Sequence, residues 1–232
     1  MFKLDDLKTG RQAWIRKANI PTNRLGWELD DCTAVPQKTL KQVKDWLDLV
    51  KSGEVIRKEG SINCGLGLAL DGAPGQGKTT FAVAILQEAM KTFSLAEWDV
   101  KENSTIVRPC YFISYSGLLR LRGEMIGNES SSIQDTLYHG IMGDLPPDSD
   151  SQNVRLLVLD DMGKEHNSGS GFNAAEFHHL IRNRFNKGLP TIITTNVATS
   201  NWSSLYGEAS ASFAQEAFLN ITLKSEKGDL RR

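Results

Sequence analysis

Gly72-Ala73-Pro74-Gly75-Gln76-Gly77-Lys78-Thr79 is the stretch that decides how this 232-residue chain is read. It fits the pattern G-x-x-x-x-G-K-T, with an apolar run, Gly65–Asp71, before it and a helix-forming run, Thr80–Lys91, after it. Glycines let the backbone curl until successive N–H groups point at one spot, an arrangement that suits phosphate oxygens. The N-terminus of the following helix adds partial positive charge at the same spot. Gly72, Pro74, Gly75, Gln76, Gly77 and Thr80 are the expected cradle. Lys78 is placed to reach the β and γ phosphates of a bound nucleotide, and the Thr79 hydroxyl to take a position on Mg²⁺.

Two further segments belong with this loop. Leu156-Leu157-Val158-Leu159-Asp160-Asp161 is four apolar residues ending in two carboxylates. In open α/β sheets ligands bind at the carboxyl ends of strands, so an acid there faces the phosphate crevice. Asp160 is the candidate for holding Mg²⁺ through water, and Asp161 for orienting or activating an attacking water. Glu165, further on, is an alternative for the second role. Both acids could instead serve only as helix N-cap residues. Thr191-Ile192-Ile193-Thr194-Thr195-Asn196 reads as a strand ending in a polar amide, which could hold the same water; Asn is also an ordinary turn residue.

Around these motifs the pattern alternates. Leu40, Val43, Leu47 and Val50 mark a helix within Pro36–Ser52. Cys110–Tyr115 reads as a strand, followed by a helix through Leu118, Leu119 and Met125. Ile133, Leu137 and Ile141 give a helical stripe, Asp144–Asn153 and Asn167–Gly171 loops, and Phe177–Phe185 a helix stopped by Gly188 and Pro190. Gly207–Phe218 is helix-like, and a last strand falls near Ile221–Leu223. Apolar strands alternating with helices predict an α/β fold, a parallel sheet covered on both faces. The expected organisation is a short basic N-terminal extension, residues 1–35, and one α/β domain over 36–232.

Composition narrows the class. Lys and Arg number 27 and Asp and Glu 28, so the chain carries no basic excess that would coat nucleic acid. Charge is segregated nonetheless. Residues 1–24 hold six basic and two acidic side chains, residues 127–161 one and seven, and Phe177–Tyr206 three and none. No apolar run approaches the roughly 18 residues of a membrane span. No signal-peptide pattern opens the sequence, and three scattered cysteines (Cys32, Cys64, Cys110) fit a reducing, cytoplasmic setting in which each is a small buried hydrophobe. His178-His179 are adjacent and point about 100° apart, and no His/Cys/acid cluster has zinc-ligand spacing. Trp46 is expected beside the Leu40–Val50 stripe; the other four tryptophans could pack or stack on bases.

The order of phosphate loop, Asp-Asp strand and Thr-Thr-Asn strand resembles an AAA+ ATPase. Within that class it resembles the DnaC/DnaI/IstB group of helicase loaders and transposase-helper ATPases. Ile20-Pro21 with Arg24, Leu157–Gly163, Arg182-Asn183-Arg184-Phe185, Leu189–Asn196, Tyr206-Gly207-Glu208 and Asp229-Leu230-Arg231 carry the rest of the likeness. The resemblance implies a P-loop three-layer αβα fold with a mostly parallel sheet and a short C-terminal extension. It implies ATP hydrolysis with Mg²⁺, and partners comprising single-stranded DNA, a replicative helicase and further copies of the chain. By position it makes Lys78, Thr79 and Asp160 the nucleotide and Walker B residues, Asn196 sensor 1 and Arg231 sensor 2. It places the DNA-lining region at Phe112–Arg122, with Arg120 and Arg122 as phosphate contacts; surface arginines that merely snorkel are the alternative. The family's trans-acting Arg after Gly-Glu is missing from Gly207–Phe213. The resemblance therefore leaves Arg182 or Arg184, a partner's group, or slow hydrolysis in its place.

Overall fold

The computed structural model describes residues 9–52, 65–92, 108–127, 129–163 and 171–224. Five strands form one parallel sheet: β1 (Gly67–Asp71), β2 (Cys110–Ser114), β3 (Leu156–Met162), β4 (Thr191–Thr195) and β5 (Phe218–Thr222), in the order β2-β3-β4-β1-β5. The strands alternate their side chains between two apolar layers, as a two-residue period requires. Leu68, Leu70, Phe112, Leu156, Val158 and Ile192 enter one core; Ala69, Tyr111, Ile113, Leu157, Leu159 and Ile193 enter the other. Burial on both faces is why these segments read as continuous apolar runs.

The first core is closed by α1 (Thr9–Lys17), α2 (Gln37–Ser52) and α3 (Lys78–Thr92). The second is closed by α4 (Tyr115–Ile126), α5 (Ser132–Met142), α6 (Phe172–Asn186), α7 (Trp202–Tyr206) and α8 (Glu208–Ala217). The result is the expected αβα sandwich, with a sheet that is parallel throughout. Trp46 packs in the first core and its indole N–H donates to Leu66 O at 2.9 Å. Trp14 and Trp202 are also buried, which leaves neither free to stack on a base. Among the described residues no helix is long and apolar enough to cross a membrane.

Several local readings need correction. The run ending at Leu159 continues through both acids to Met162, because a register shift against β4 lets the strand carry on past them. Ile133 does not join a buried stripe; it sits in the first turn of α5 and is 60% exposed, whereas Ile141 is buried. The last strand begins at Phe218, where the extended backbone of that residue ends α8, rather than near Ile221. α1 carried no clear periodic signal; among its residues from Gln12 to Lys17 it buries Trp14 and Ile15, with Ala18 just beyond it. It lies against α3 and β2. Ala18 O accepts from Phe112 N at 2.8 Å and Asn19 Nδ2 donates to Phe112 O at 2.9 Å, so this segment pairs with the outer edge of β2. Most of the Asn167–Gly171 loop, together with Cys64, Trp98, Glu165, His166 and Arg231, lies outside the described residues.

Candidate nucleotide-binding site

The loop 72–77 leaves β1 at its carboxyl end and turns directly into α3. Gly75 and Gly77 have φ of 79° and 78°, a region that side chains with a Cβ avoid. At Gly72 the constraint is contact as well: a Cβ there would stand 2.4 Å from Leu223 O. Lys78 is buried, and its ammonium donates to Gly72 O at 2.7 Å and Ala73 O at 2.8 Å, so it is folded back onto its own loop.

Thr79 and Asp160 meet across the gap between α3 and β3. The Thr79 hydroxyl donates to Asp160 Oδ1 at 2.9 Å. Thr194, on the intervening strand β4, donates to the same oxygen at 2.5 Å and accepts from Asp161 N at 3.0 Å. Burial pushes the Asp160 carboxyl above its ordinary value. The hydroxyls of Thr194 and Thr79 pull it back, the neighbouring charge of Asp161 raises it, and the Arg24 guanidinium lowers it. Asp160 is 7% exposed, whereas Asp161 is exposed and sits at φ 59°, in the left-handed region, where the strand bulges against β4. A non-glycine residue held there stores strain on the order of 1–2 kcal/mol.

Asn196 follows β4 half-buried, and its side chain makes no hydrogen bond among the described residues. The turn that presents it is held by Thr195, whose hydroxyl donates to Met162 O at 3.0 Å and accepts from Val197 N at 3.0 Å. Asp71, just before the loop, is buried with Oδ1 lacking a hydrogen-bond partner among the described residues. Beside the loop opens a cavity of about 300 Å³ lined by Trp27, Asp31–Val35, Gln76, Gly77, Thr80 and Phe81. Cys32 in its wall has its thiol pushed up to about 12, mainly by burial.

Lys78, Thr79, Asp160, Asp161 and Asn196 thus gather at the carboxyl ends of β1, β3 and β4. Arg120 and Arg122 stand apart on α4. They are two positions apart, so they project from different faces of the helix. Arg120 is exposed and pairs with Glu124 at 3.2 Å. Arg122 turns inward, 3.9 Å from Glu176 and over the ring of Tyr138. Arg184 is fully buried, donating to Ile141 O, Val154 O, Arg155 O, Pro190 O and the Thr191 hydroxyl; burial lowers it to about 9. It cannot reach into a neighbouring subunit, which removes one of the two arginines considered for that role. Arg182 is exposed and lies 4.4 Å over the Phe213 ring.

Two participants escaped the motif reading, and a third, Arg24, carried part of the family likeness without being given a role. Thr194 is one of two threonines closing β4, and a pair of hydroxyls at a strand end beside an acidic strand end was the available signal. Gln87 is the other. Gln87 stands out as a lone amide after the apolar run from Phe81 to Leu86, yet it is fully buried.

A five-stranded parallel sheet in this order, with a G-K-T loop after β1 and an acid at the end of β3, defines the P-loop AAA+ fold. Solved structures bear this out. The crystal structure of the DnaC helicase loader matches with a TM-score of 0.58 at 22% identity, over 88% of this chain and 100% of that one. The crystal structure of DnaI matches at 0.55 and 18%, over 92% and 95%. The replication initiator DnaA bound to AMPPCP and single-stranded DNA matches at 0.54 and 14%, over 91% of this chain and 53% of that one. At these identities the likeness is one of fold. No protein-family model and no curated protein matches the chain in sequence.

Proposed function

We propose that this chain is an ATPase of the DnaC/DnaI type that acts in DNA replication, loading a replicative helicase onto single-stranded DNA. The observation that carries the nucleotide reading is the Thr79–Asp160 contact beside the glycine cradle. A hydroxyl and a carboxylate oxygen held within hydrogen-bond distance are hard oxygen donors of the kind Mg²⁺ takes. A buried carboxylate raised above its ordinary value is also one that a divalent cation would relieve. The residues present therefore fit the ion. Mg²⁺ bound there supplies positive charge against the phosphates as they separate.

Each residue then has a task. The amides of the loop and of the first turn of α3 bind the phosphates, and Lys78 leaves the carbonyls of Gly72 and Ala73 to meet the β and γ oxygens. Asp160 and Thr79 hold Mg²⁺. Asp161 and Asn196 orient the attacking water. The cavity walled by Trp27 and Asp31–Val35 receives the base and sugar. Arg231 takes the γ-phosphate from the C-terminal side. Residues 36–232 form the ATPase domain, preceded by the basic extension.

Partner roles rest on charge and on the likeness to DnaC and DnaI over nearly their whole length. Arg120, exposed on α4, is the residue we assign to a DNA phosphate, with Arg122 behind it fixing the helix. Nucleotide-dependent self-association would bring several such helices to one strand. Hydrolysis and binding of a fluorescent oligonucleotide, each with and without Mg²⁺-ATP, test the proposal. Lys78→Ala should remove both responses. DNA affinity should fall with salt, at a slope of roughly −0.7 per phosphate neutralised. A protein that binds no nucleotide, or whose DNA binding and helicase capture ignore ATP, would refute it.

A further inference from the structure

Arg24 adds a cation to a helix end that already gathers positive charge. It ends the short turn Thr22–Arg24 after α1, and its Nε donates to Thr80 Oγ1, in the first turn of α3, at 3.3 Å. Nη1 donates to Asn23 Oδ1 at 3.2 Å. Nη2 has no acceptor among the described residues, and no carboxylate there pairs with the guanidinium. The amino end of α3 already carries the positive pole of the helix and the Lys78 ammonium. The Asp160 carboxylate offsets part of this charge through space but makes no hydrogen bond or ion pair with Arg24, so a phosphate placed among the three positive groups would be attracted by all of them.

The chain nevertheless holds Arg24 in that position. Gln87, two turns beyond Thr80 on the same face of α3, is fully buried. Its Oε1 accepts from Gly26 N at 2.8 Å, and its Nε2 donates to Arg24 O at 3.2 Å and Trp27 O at 3.0 Å. One amide thus satisfies three main-chain groups of the 24–27 turn and pins it to α3. Glu28 adds a second pin, accepting from Lys91 at 2.6 Å. Trp27 and Thr80 both line the 300 Å³ cavity, which places Arg24 at its junction with the phosphate loop.

We propose that Arg24 is a nucleotide-binding residue acting in cis, gripping the α/β-diphosphate where it passes from the glycine cradle to the cavity, with Gln87 as its positioning residue. The inference rests on the nucleotide reading given above. A guanidinium can exchange the Thr80 hydroxyl for a phosphate oxygen by rotating its own side chain, and it offers two parallel donors to that oxygen pair.

The test is titration of N-methylanthraniloyl-labelled ADP and ATP, with Mg²⁺, into the full chain and its variants. Wild type should bind both and Lys78→Ala neither; failure of wild type to bind overturns the nucleotide reading itself. Given wild-type binding, Arg24→Ala should weaken ADP and ATP by similar factors, on the order of 10–100-fold, with the nucleotide-free melting temperature unchanged and part of the affinity restored by Arg24→Lys. Gln87→Ala should weaken binding only when Arg24 is present, so the double variant binds no worse than Arg24→Ala. ADP and ATP affinities of Arg24→Ala within twofold of wild type would overturn the proposal. A loss confined to ATP would also overturn it, since that places the group at the γ-phosphate. Independent losses in the double variant would remove Gln87 from the assignment.

Discussion

Replacing Asp160 separates stability from activity, and the two obvious substitutions should move stability in opposite directions. Two hydroxyls, the buried Thr194 and the half-buried Thr79, donate to one oxygen of this carboxylate. Alanine leaves both without an acceptor. At about 1–1.5 kcal/mol each, Asp160→Ala loses about 2–3 kcal/mol, or roughly 5–10 °C in Tm for a chain of this size. Asparagine keeps the accepting oxygen and removes a charge that burial disfavours. Asp160→Asn should therefore melt at or above wild type in magnesium-free buffer, while ATP turnover falls by on the order of 10²-fold or more with the carboxylate gone. The pH dependence sharpens the test. The native carboxyl holds its proton to higher pH than the unfolded chain does, so this group's contribution to stability declines as pH rises from the ordinary carboxylate range through the native value. Asp160→Asn should lack that decline. Thermal melts from pH 4 to 8 followed by circular dichroism read both effects. Equal destabilisation by Ala and Asn, or a slope that survives in Asn, would refute the account of Asp160.

Arg184→Met should cost about 3–5 kcal/mol, because five acceptors lose a charged donor in the interior; a urea midpoint within error of wild type would refute this. Asp161→Gly should gain about 1 kcal/mol by relieving the left-handed backbone, and Asp161→Val should lose at least as much; paired thermal melts check the signs. Gly72→Ala should abolish nucleotide binding, because its Cβ would collide with Leu223 O; equilibrium dialysis with ATP measures it. Trp27 lines the cavity, so nucleotide should change tryptophan emission in wild type and not in Trp27→Phe.

The phosphate loop, the two acids and the closing Asn were legible because each is local. A curled glycine loop, a strand buried on both faces and a polar strand end leave marks within eight consecutive residues. The parallel sheet was legible for the same reason. What stayed hidden was assembled across the chain. Arg24 meets Thr80, Gly26 meets Gln87 and Thr194 meets Asp160 at separations of 34 to 61 residues, and no periodicity in one segment announces its partner in another. Arg184 and Arg122 misled for a related reason: a charged side chain reads as surface until the carbonyls or the carboxylate that receive it are in place.

The contact between Ala18-Asn19 and Phe112 has a bearing on how copies of this chain could assemble. A parallel sheet with a bare outer strand invites a neighbour to extend it, and that route leads to open-ended growth. Here the backbone of the segment after α1 takes the amide of Phe112, and the Asn19 side chain takes its carbonyl, so the β2 margin has nothing left to offer at that register. Copies meeting on this side must do so through helices, whose shapes can dictate a fixed angle and a closed ring. Two residues outside the sheet thus act as a stopper, and Asn19→Ala, which frees the Phe112 carbonyl, would reopen part of that margin.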